Sequence, residues 1–341
     1  MREAGRTPLW AYTLWPLGAC FLGVSKVRAA CYGAGVFRRV TLRRPAISVG
    51  NLTFGGTGKT PVTIALAKVL LSMGEKPAVL LRGYGRKTRG ALRVGPESGP
   101  SEVGEEALVI AHNLPDVEVA VGERREQAAA ITSEGTTIFL LDDAFQHLRV
   151  RRDLDILLVD ASKPRDLRIP PVGRLREPLS STNRADLIVV TRGRAEDLSS
   201  KLGGRLEGRP VISVRFRWEE RLHPEGAGTL ASWKGRKVFL FAGVGNSAAF
   251  LRMAQQAGFY PEGALLFPDH AEPDRARVQS VLDNVRAGAF EAVLTTEKDA
   301  VKWLPVWDGP VPLLYCRLET ELEDPNGHLE RALSVLHMGA P

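Results

Sequence analysis

Hydrophobic and polar positions along the first two thirds of this chain alternate between two rhythms. Short, nearly continuous apolar runs at Ala46–Val49, Ala78–Leu81, Thr137–Leu141, Asp155–Val159 and Asp186–Thr191 have the character of strands buried on both faces. Between them, Pro61–Ser72, Glu105–His112 and Glu123–Thr132 read as helices. Pro61 falls near a first turn, where its missing N–H costs little. Strand–helix alternation of this kind predicts a parallel, doubly wound α/β sheet with helices on both faces. Lys163–Ser181 is rich in Pro and Arg and predicts a long loop, of a length that is usually either functional or disordered.

The rhythm resumes after about residue 224. Val238–Ala242, Ala264–Phe267 and Ala292–Thr295 predict strands, and the stretches near Ala248–Ala257 and Asp274–Ala287 predict helices, together a second, smaller α/β/α unit. Val211–Trp218 and Val311–Leu318 alternate in strand fashion on either side of it and could pair as a two-stranded link. The expected division is an N-terminal segment at 1–35, a main domain at 36–222, the smaller domain at 223–310, and a return strand with a C-terminal helix at 311–341.

The N-terminus is different. Leu9–Val24 carries no charge but is somewhat short for a spanning helix, which needs about 20 residues. Trp10, Tyr12 and Trp15 are residue types favoured at a membrane interface. Lys26, Arg28, Arg38, Arg39, Arg43 and Arg44 follow, a cluster that anionic headgroups attract. A monotopic anchor, a buried core helix and a cleaved signal all fit this pattern. Leu17–Cys20 resembles a lipoprotein cleavage box, but the apolar run continues past Cys20, and a nucleotide site needs cytosolic nucleotide.

Composition narrows the class. With 341 residues the chain has room for two domains. Its 44% apolar and 25% charged content is that of an ordinary globular protein. A formal charge of +7 suits phosphorylated substrates, an anionic membrane or nucleic acid, and does not choose among them. Cys20, Cys31 and Cys316 form no metal-type pair and suggest a reducing compartment.

The candidate chemistry starts at Ala46–Thr60, where a strand enters Thr53-Phe54-Gly55-Gly56-Thr57-Gly58-Lys59-Thr60. Glycines let backbone N–H groups close on phosphate oxygens, and a helix N-terminus adds its positive dipole end. Lys59 then reaches the β/γ-phosphates of ATP and the Thr60 hydroxyl ligates Mg²⁺. The common form of this loop starts with Gly; here Thr53 stands in that place. Asp142 and Asp143 end the Thr137–Leu141 run, beside the loop in such a fold, so one can serve Mg²⁺ and the other the metal or the lysine. A capping pair after a core strand is the plainer alternative. Two nucleotide enzymes remain: a small-molecule kinase, or a regulatory switch ATPase. The switch ATPases carry a lysine where this chain has Phe54, and no guanine-reading Asn-Lys-x-Asp is present. No aromatic and basic stripe indicates nucleic acid.

Several ordered motifs resemble the tetraacyldisaccharide 4'-kinase family, the LpxK enzymes of lipid A synthesis. They are Ser48–Pro61, Arg82-Gly-Tyr-Gly-Arg86, Asp142-Asp-Ala-Phe-Gln-His147 and Leu175-Arg-Glu-Pro178, then Phe241–Asn246, Phe267-Pro-Asp-His270 and Thr296–Lys302. The resemblance implies transfer of the ATP γ-phosphate to the 4'-hydroxyl of tetraacyldisaccharide 1-phosphate, giving lipid IVA, at the cytoplasmic face of the bacterial inner membrane. It also implies two α/β/α domains and a membrane-associating N-terminus. The family's catalytic base is an Asp in Gly-Asp-Glu-Pro; here Gly104-Glu105-Glu106-Ala107 places Glu105 there. His270 matches the histidine that assists that carboxylate. Arg82, Arg86, Arg125 and Glu177 fall in other family-like stretches and are candidate substrate contacts. Each has a plain alternative: Glu105 and Glu106 as first-turn helix residues, His270 as a surface-loop histidine, the arginines as solvated or paired surface groups, and His147 as a structural histidine.

Overall fold

In the computed structural model, residues 13–259 and 262–338 are described. The strands are β1 (Ala46–Asn51), β2 (Pro77–Leu81), β3 (Leu92–Arg93), β4 (Glu118–Val121), β5 (Ile138–Asp142), β6 (Leu154–Asp160), β7 (Leu187–Thr191), β8 (Val211–His223), β9 (Val238–Ala242), β10 (Ala264–Leu266), β11 (Ala292–Thr296) and β12 (Leu313–Glu323). All join one sheet in the order β10-β9-β11-β12-β8-β7-β6-β1-β5-β2-β4-β3. From β8 to β4 the pairings are parallel, as the apolar, non-alternating strands require: β1, β2, β5 and β7 are buried at every position.

Beyond β8 the sheet continues through one antiparallel pair, β8 with β12, and then through the parallel strands β11, β9 and β10. The link expected from Val211–Trp218 and Val311–Leu318 is therefore real, and both strands run further than their alternation suggested. The end of β12, Glu319–Glu323, runs along Ser213–Arg217 of β8 and is held there by cross-strand ion pairs, Arg215 with Glu323 and Arg217 with Glu321. Charged positions break the apolar pattern there, which is why the sequence understates these strands.

Besides single turns at Pro100–Val103 and Leu230–Trp233, the helices among the described residues are α1 (Trp15–Gly33), α2 (Lys59–Ser72), α3 (Glu105–Asn113), α4 (Arg125–Ala130), α5 (Ala195–Leu202), α6 (Ser247–Gln256), α7 (Arg275–Gly288), α8 (Glu297–Trp303) and α9 (His328–Met338). α2 starts two residues before Pro61, at the lysine of the glycine loop. α4 is shorter than Glu123–Thr132 because Arg124 is extended and Ile131 closes the turn. The expected Lys163–Ser181 loop contains a 3₁₀ turn at Pro164–Leu167, and another follows at Leu179–Arg184.

α1 departs most from expectation. Residues 9–12 of the apolar run, with Trp10 and Tyr12, lie outside the described residues. The helix runs well past Val24 through Ser25, Lys26 and Arg28. Only Gly18 and Leu22 are buried in it. Leu14, Trp15, Leu17, Phe21, Val24 and Val27 are exposed, so the described part of α1 is not a core helix. Gly18 is required: a Cβ there would lie 1.7 Å from the Pro170 carbonyl oxygen. No helix among the described residues is long and apolar enough to cross a membrane.

Candidate active site

β1 and β5 are adjacent and parallel, with Val49 opposite Asp142. Their C-terminal ends therefore deliver the glycine loop and the Asp142–Asp143 pair to the same place, outside the carboxyl edge of the sheet. The loop is shaped by Gly55 and Gly58, at φ 116° and 90°. Gly58 has a second reason to lack a side chain, since a Cβ would sit 2.6 Å from Cζ of Phe216. Asn51 donates to the Thr57 hydroxyl at 2.9 Å, and Thr191 donates to the Thr57 carbonyl at 3.0 Å. Arg192 donates to the Gly56 carbonyl at 3.0 Å while paired with Asp160 at 2.7 Å. Thr53 is buried and bridges Leu175, whereas Phe54 is half exposed beneath the Arg176 guanidinium at 5.0 Å.

The acidic pair divides its work. Asp142 is buried and accepts from the Thr63 hydroxyl at 2.8 Å. Burial, then repulsion from Glu106 and Asp143, holds its carboxyl well above the usual range, against the pull of Lys59. Asp143 adopts φ 47° and pairs with Lys59 at 3.5 Å and with Arg176 at 2.9 Å. Burial opposes its ionisation, but those two cations outweigh burial and lower its pKa. Arg176 belongs to the Leu175–Pro178 motif but was not singled out by sequence reasoning.

The second carboxylate centre joins the two halves of the sheet. Gly104, at φ 91°, turns the chain so that Glu105 starts α3. Glu105 is buried, with Lys302 Nζ 2.9 Å from Oε1 and His270 Nδ1 3.4 Å from Oε2. Burial works against the charged form, yet His270, Lys298 and Lys302 together bring the pKa down to about 2. The Glu105 contact in turn raises that of His270, against burial. His270 has φ 60°, its backbone N–H donates to the Gly243 carbonyl at 3.1 Å, and its ring lies against Tyr84 with centroids 5.4 Å apart. Asp269 and Lys298 stand beside it; Lys298 Nζ is 3.8 Å from Asp269, 3.6 Å from Glu106 and 3.4 Å from His270 Nε2.

A cleft of about 240 Å³ is bounded by Gly56–Pro61 on one side and Asn246, Asp269 and Lys298 on the other, and meets the two groups through Lys59, which pairs with Asp143, and through Asp269 and Lys298, which neighbour His270 and Glu105. Phe216, Trp218 and Phe250 give it an apolar end. The second unit comes close to the loop here: a Cβ on Gly245 would lie 3.7 Å from the Gly56 amide nitrogen.

The remaining candidates lie elsewhere. Arg125 is buried and donates to the carbonyls of Gly122 and Asp142 at 3.1 and 3.0 Å, with burial lowering its pKa to about 10. Arg86 bonds Glu123 at 2.7 Å and the Gly90 carbonyl at 2.6 Å. Glu177 is buried against Arg184 at 2.6 Å. Arg82 is exposed after β2. None of these four lines the cleft, and three of them hold loops together. His147 is kept neutral, burial lowering its pKa to about 4. Sequence reasoning quoted Thr296–Lys302 as a motif but gave its residues no role. The available signal was the four-residue spacing of Lys298 and Lys302, which puts both on one helical face.

The chain's relatives decide the family. The family model described as tetraacyldisaccharide-1-P 4'-kinase (LpxK) matches residues 10–336. The chain belongs to the tetraacyldisaccharide 4'-kinase family. Its relatives named tetraacyldisaccharide 4'-kinase include that of Syntrophotalea carbinolica, 37% identical and covering 95% of this chain and 91% of the relative. The one from Pelobacter propionicus is 35% identical, covering 92% and 89%. Among solved structures, LpxK from Aquifex aeolicus, crystallised in complex with ATP, superimposes with a TM-score of 0.76 at 28% identity, covering 95% of this chain and 98% of that one. Membership in the 4'-kinase family accounts for the P-loop α/β/α architecture and sets the switch ATPase aside.

Proposed function

We propose that this protein transfers the γ-phosphoryl group of ATP to the 4'-hydroxyl of tetraacyldisaccharide 1-phosphate at a membrane surface. The observation that carries this reading is the shared cleft. Lys59, paired with Asp143, lines its nucleotide side, and Asp269 and Lys298, the neighbours of the Glu105–His270 pair, line the other. Phosphoryl transfer needs little covalent chemistry from a protein; it needs charge neutralisation, alignment and an acceptor for the hydroxyl proton. The glycine loop and the α2 N-terminus hold the phosphates, and Lys59 meets the charge developing on them. Glu105 accepts the hydroxyl proton through Oε2, with His270 orienting that oxygen.

The oxygen-only donor set of Thr60, Asp142 and Asp143 suits a hard divalent cation. The Asp142 carboxyl, raised by burial and then by the neighbouring Glu106 and Asp143, belongs to the kind of negative centre such a cation relieves. Mg²⁺ bound there would supply charge neutralisation at the β- and γ-phosphates.

The exposed stripe Leu14–Leu17–Phe21–Val24 supports membrane seating, since residues three and four apart share one helical face. Lys26, Arg38 and Arg39 are exposed near it. Arg43 and Arg44 turn back to carbonyls of Thr132, Ser133 and Glu134 and are less available for headgroups. The location we propose is the cytoplasmic face of the bacterial inner membrane, a reading that the exposed stripe and the family's lipid substrate support.

The test is an incubation of detergent-solubilised protein with γ-labelled ATP, Mg²⁺ and tetraacyldisaccharide 1-phosphate, following label into lipid. Mg²⁺-dependent labelling that falls by about a hundredfold or more in Lys59→Ala is the expected result. ATP hydrolysis without labelled lipid would sink the acceptor assignment.

A further inference from the structure

Outside the groups already given roles, the most buried cation of the site is Lys302. Its side chain is 1% exposed, and Nζ contacts two oxygens: Glu105 Oε1 at 2.9 Å and the Ala271 carbonyl at 2.7 Å. A lysine is almost never buried this deeply unless it is paired. It is too enclosed to touch a substrate. Its partner is the carboxylate proposed above to act as base.

The helix that carries Lys302 is itself pinned. Thr296 caps α8 by accepting from the Asp299 N–H at 3.1 Å, and buried Asp299 accepts the Gly243 N–H at 2.9 Å. Gly243 also accepts the His270 N–H. One short stretch of the second unit thus fixes both the histidine and the lysine that flank Glu105, a residue of the first unit.

A glutamate at the first position of a helix has three side-chain torsions to fix, and its two oxygens are equivalent until something distinguishes them. Lys302 distinguishes them. Oε1 is engaged, while Oε2 is buried without a hydrogen bond of good geometry and faces the His270 ring at 3.4 Å. We infer that Lys302 is a positioning residue: by holding Oε1 of Glu105 it leaves Oε2 as the single oxygen directed at His270 and at the incoming hydroxyl. This rests on the kinase reading only for the word "hydroxyl"; the positioning of Glu105 is a claim about geometry.

Lys298 has a different place. It is paired with Glu105, Glu106 and Asp269 beside His270, but it lines the cleft, where an anionic substrate can reach it.

The decisive measurement is the titration of His270 in the full-length protein, read from its ring C–H signals and assigned with His270→Gln. The groups facing the ring are Glu105, Asp269 and Lys298, with Tyr84 tilted against it. Lys302→Met removes a positive charge from this neighbourhood. Charge loss alone can only raise the histidine's pKa. If Lys302 holds Glu105 in place, the carboxylate leaves the ring in the variant and the pKa falls toward 6.5, its ordinary value. A fall is therefore expected, and an unchanged or higher pKa would overturn the inference. Lys302→Gln, which keeps a donor for the Ala271 carbonyl, carries the same titration should Lys302→Met not fold.

In the lipid-labelling assay Lys302→Met should lower kcat by on the order of a hundredfold while leaving KM for ATP unchanged. Glu105→Gln/Lys302→Met should be no slower than Glu105→Gln alone, because residues acting as one unit are not additive. A further tenfold loss in the double variant would count against the inference. Wild-type protein that never labels lipid would refute the kinase reading and leave the titration to decide Lys302.

Discussion

Four non-glycine residues among those described adopt positive φ: Asp143, Arg192, His270 and Ala289. Arg192 lines the cleft, and Asp143 and His270 adjoin residues that do, Lys59 and Asp269. Each such conformation costs on the order of 1 kcal/mol and persists where its surroundings over-determine it. Here the surroundings are ion pairs: Asp143 with Lys59 and Arg176, Arg192 with Asp160, His270 with Glu105. Glu105 also has a thermodynamic signature. Its folded pKa of about 2 lies below the ordinary 4.5, so its contribution is present above pH 4.5 and is lost as pH falls toward 2. His270 has a raised folded pKa, so its contribution is complete below 6.5 and is lost as pH climbs through the folded value. Glu105→Gln removes both dependences. Unfolding midpoints of this variant followed across pH should therefore form a flatter curve than wild type on both the acid and the neutral side. The same variant should bind ATP normally and lose turnover by roughly two orders of magnitude. Near-normal turnover would show that another group takes the proton.

At the scale of elements, the glycine loop is held by what surrounds it as much as by its own glycines. Gly58→Ala has to place a Cβ at φ 90° and 2.6 Å from the Phe216 ring. Equilibrium binding of ATP should weaken by at least about tenfold in this variant, through displacement of Phe216 and the Arg192 stacked on it at 5.5 Å. Arg125 supports the neighbouring strand. Arg125→Met leaves the carbonyls of Gly122 and Asp142 without their donor, and denaturant titration should register a loss of about 2 kcal/mol. Activity of the folded fraction should change far less, because Arg125 lies outside the cleft.

For the whole molecule, the continuous sheet matters more than the division into two units. β8 and β12 join them through backbone pairing, so α8 and the His270 turn are carried to α3 by the sheet itself. At the far end, α1 rests on the Pro170 turn through Gly18 and turns its apolar stripe outward. Leu17→Glu/Phe21→Glu should abolish co-flotation with anionic vesicles while leaving ATP binding in detergent unchanged. Vesicle binding that survives would move the membrane contact to another surface.

The amino-acid sequence determined what depends on neighbours along the chain. Strand–loop–helix order around Ser48–Pro61, the acidic end of the Thr137–Leu141 run and the two α/β blocks follow from local apolar periodicity and turn chemistry. Periodicity failed where the partner was distant. The extensions of β8 past Trp218 and of β12 past Leu318 are mostly polar, and each is strand because it pairs with the other strand's inner part. The length of α1 past Val24 was not visible in its apolar run, because residues 25–33 form an exposed or half-buried helical stretch with polar and basic positions. Arg86, Arg125 and Glu177 showed only that they were charged; burial against Glu123, the Asp142 carbonyl and Arg184 was a decision of the tertiary structure. So was the meeting of Glu105 with His270 and Lys302. A carboxylate, an imidazole and an ammonium group from distant parts of the chain have no local signature, because only the folded sheet brings their charges within 4 Å.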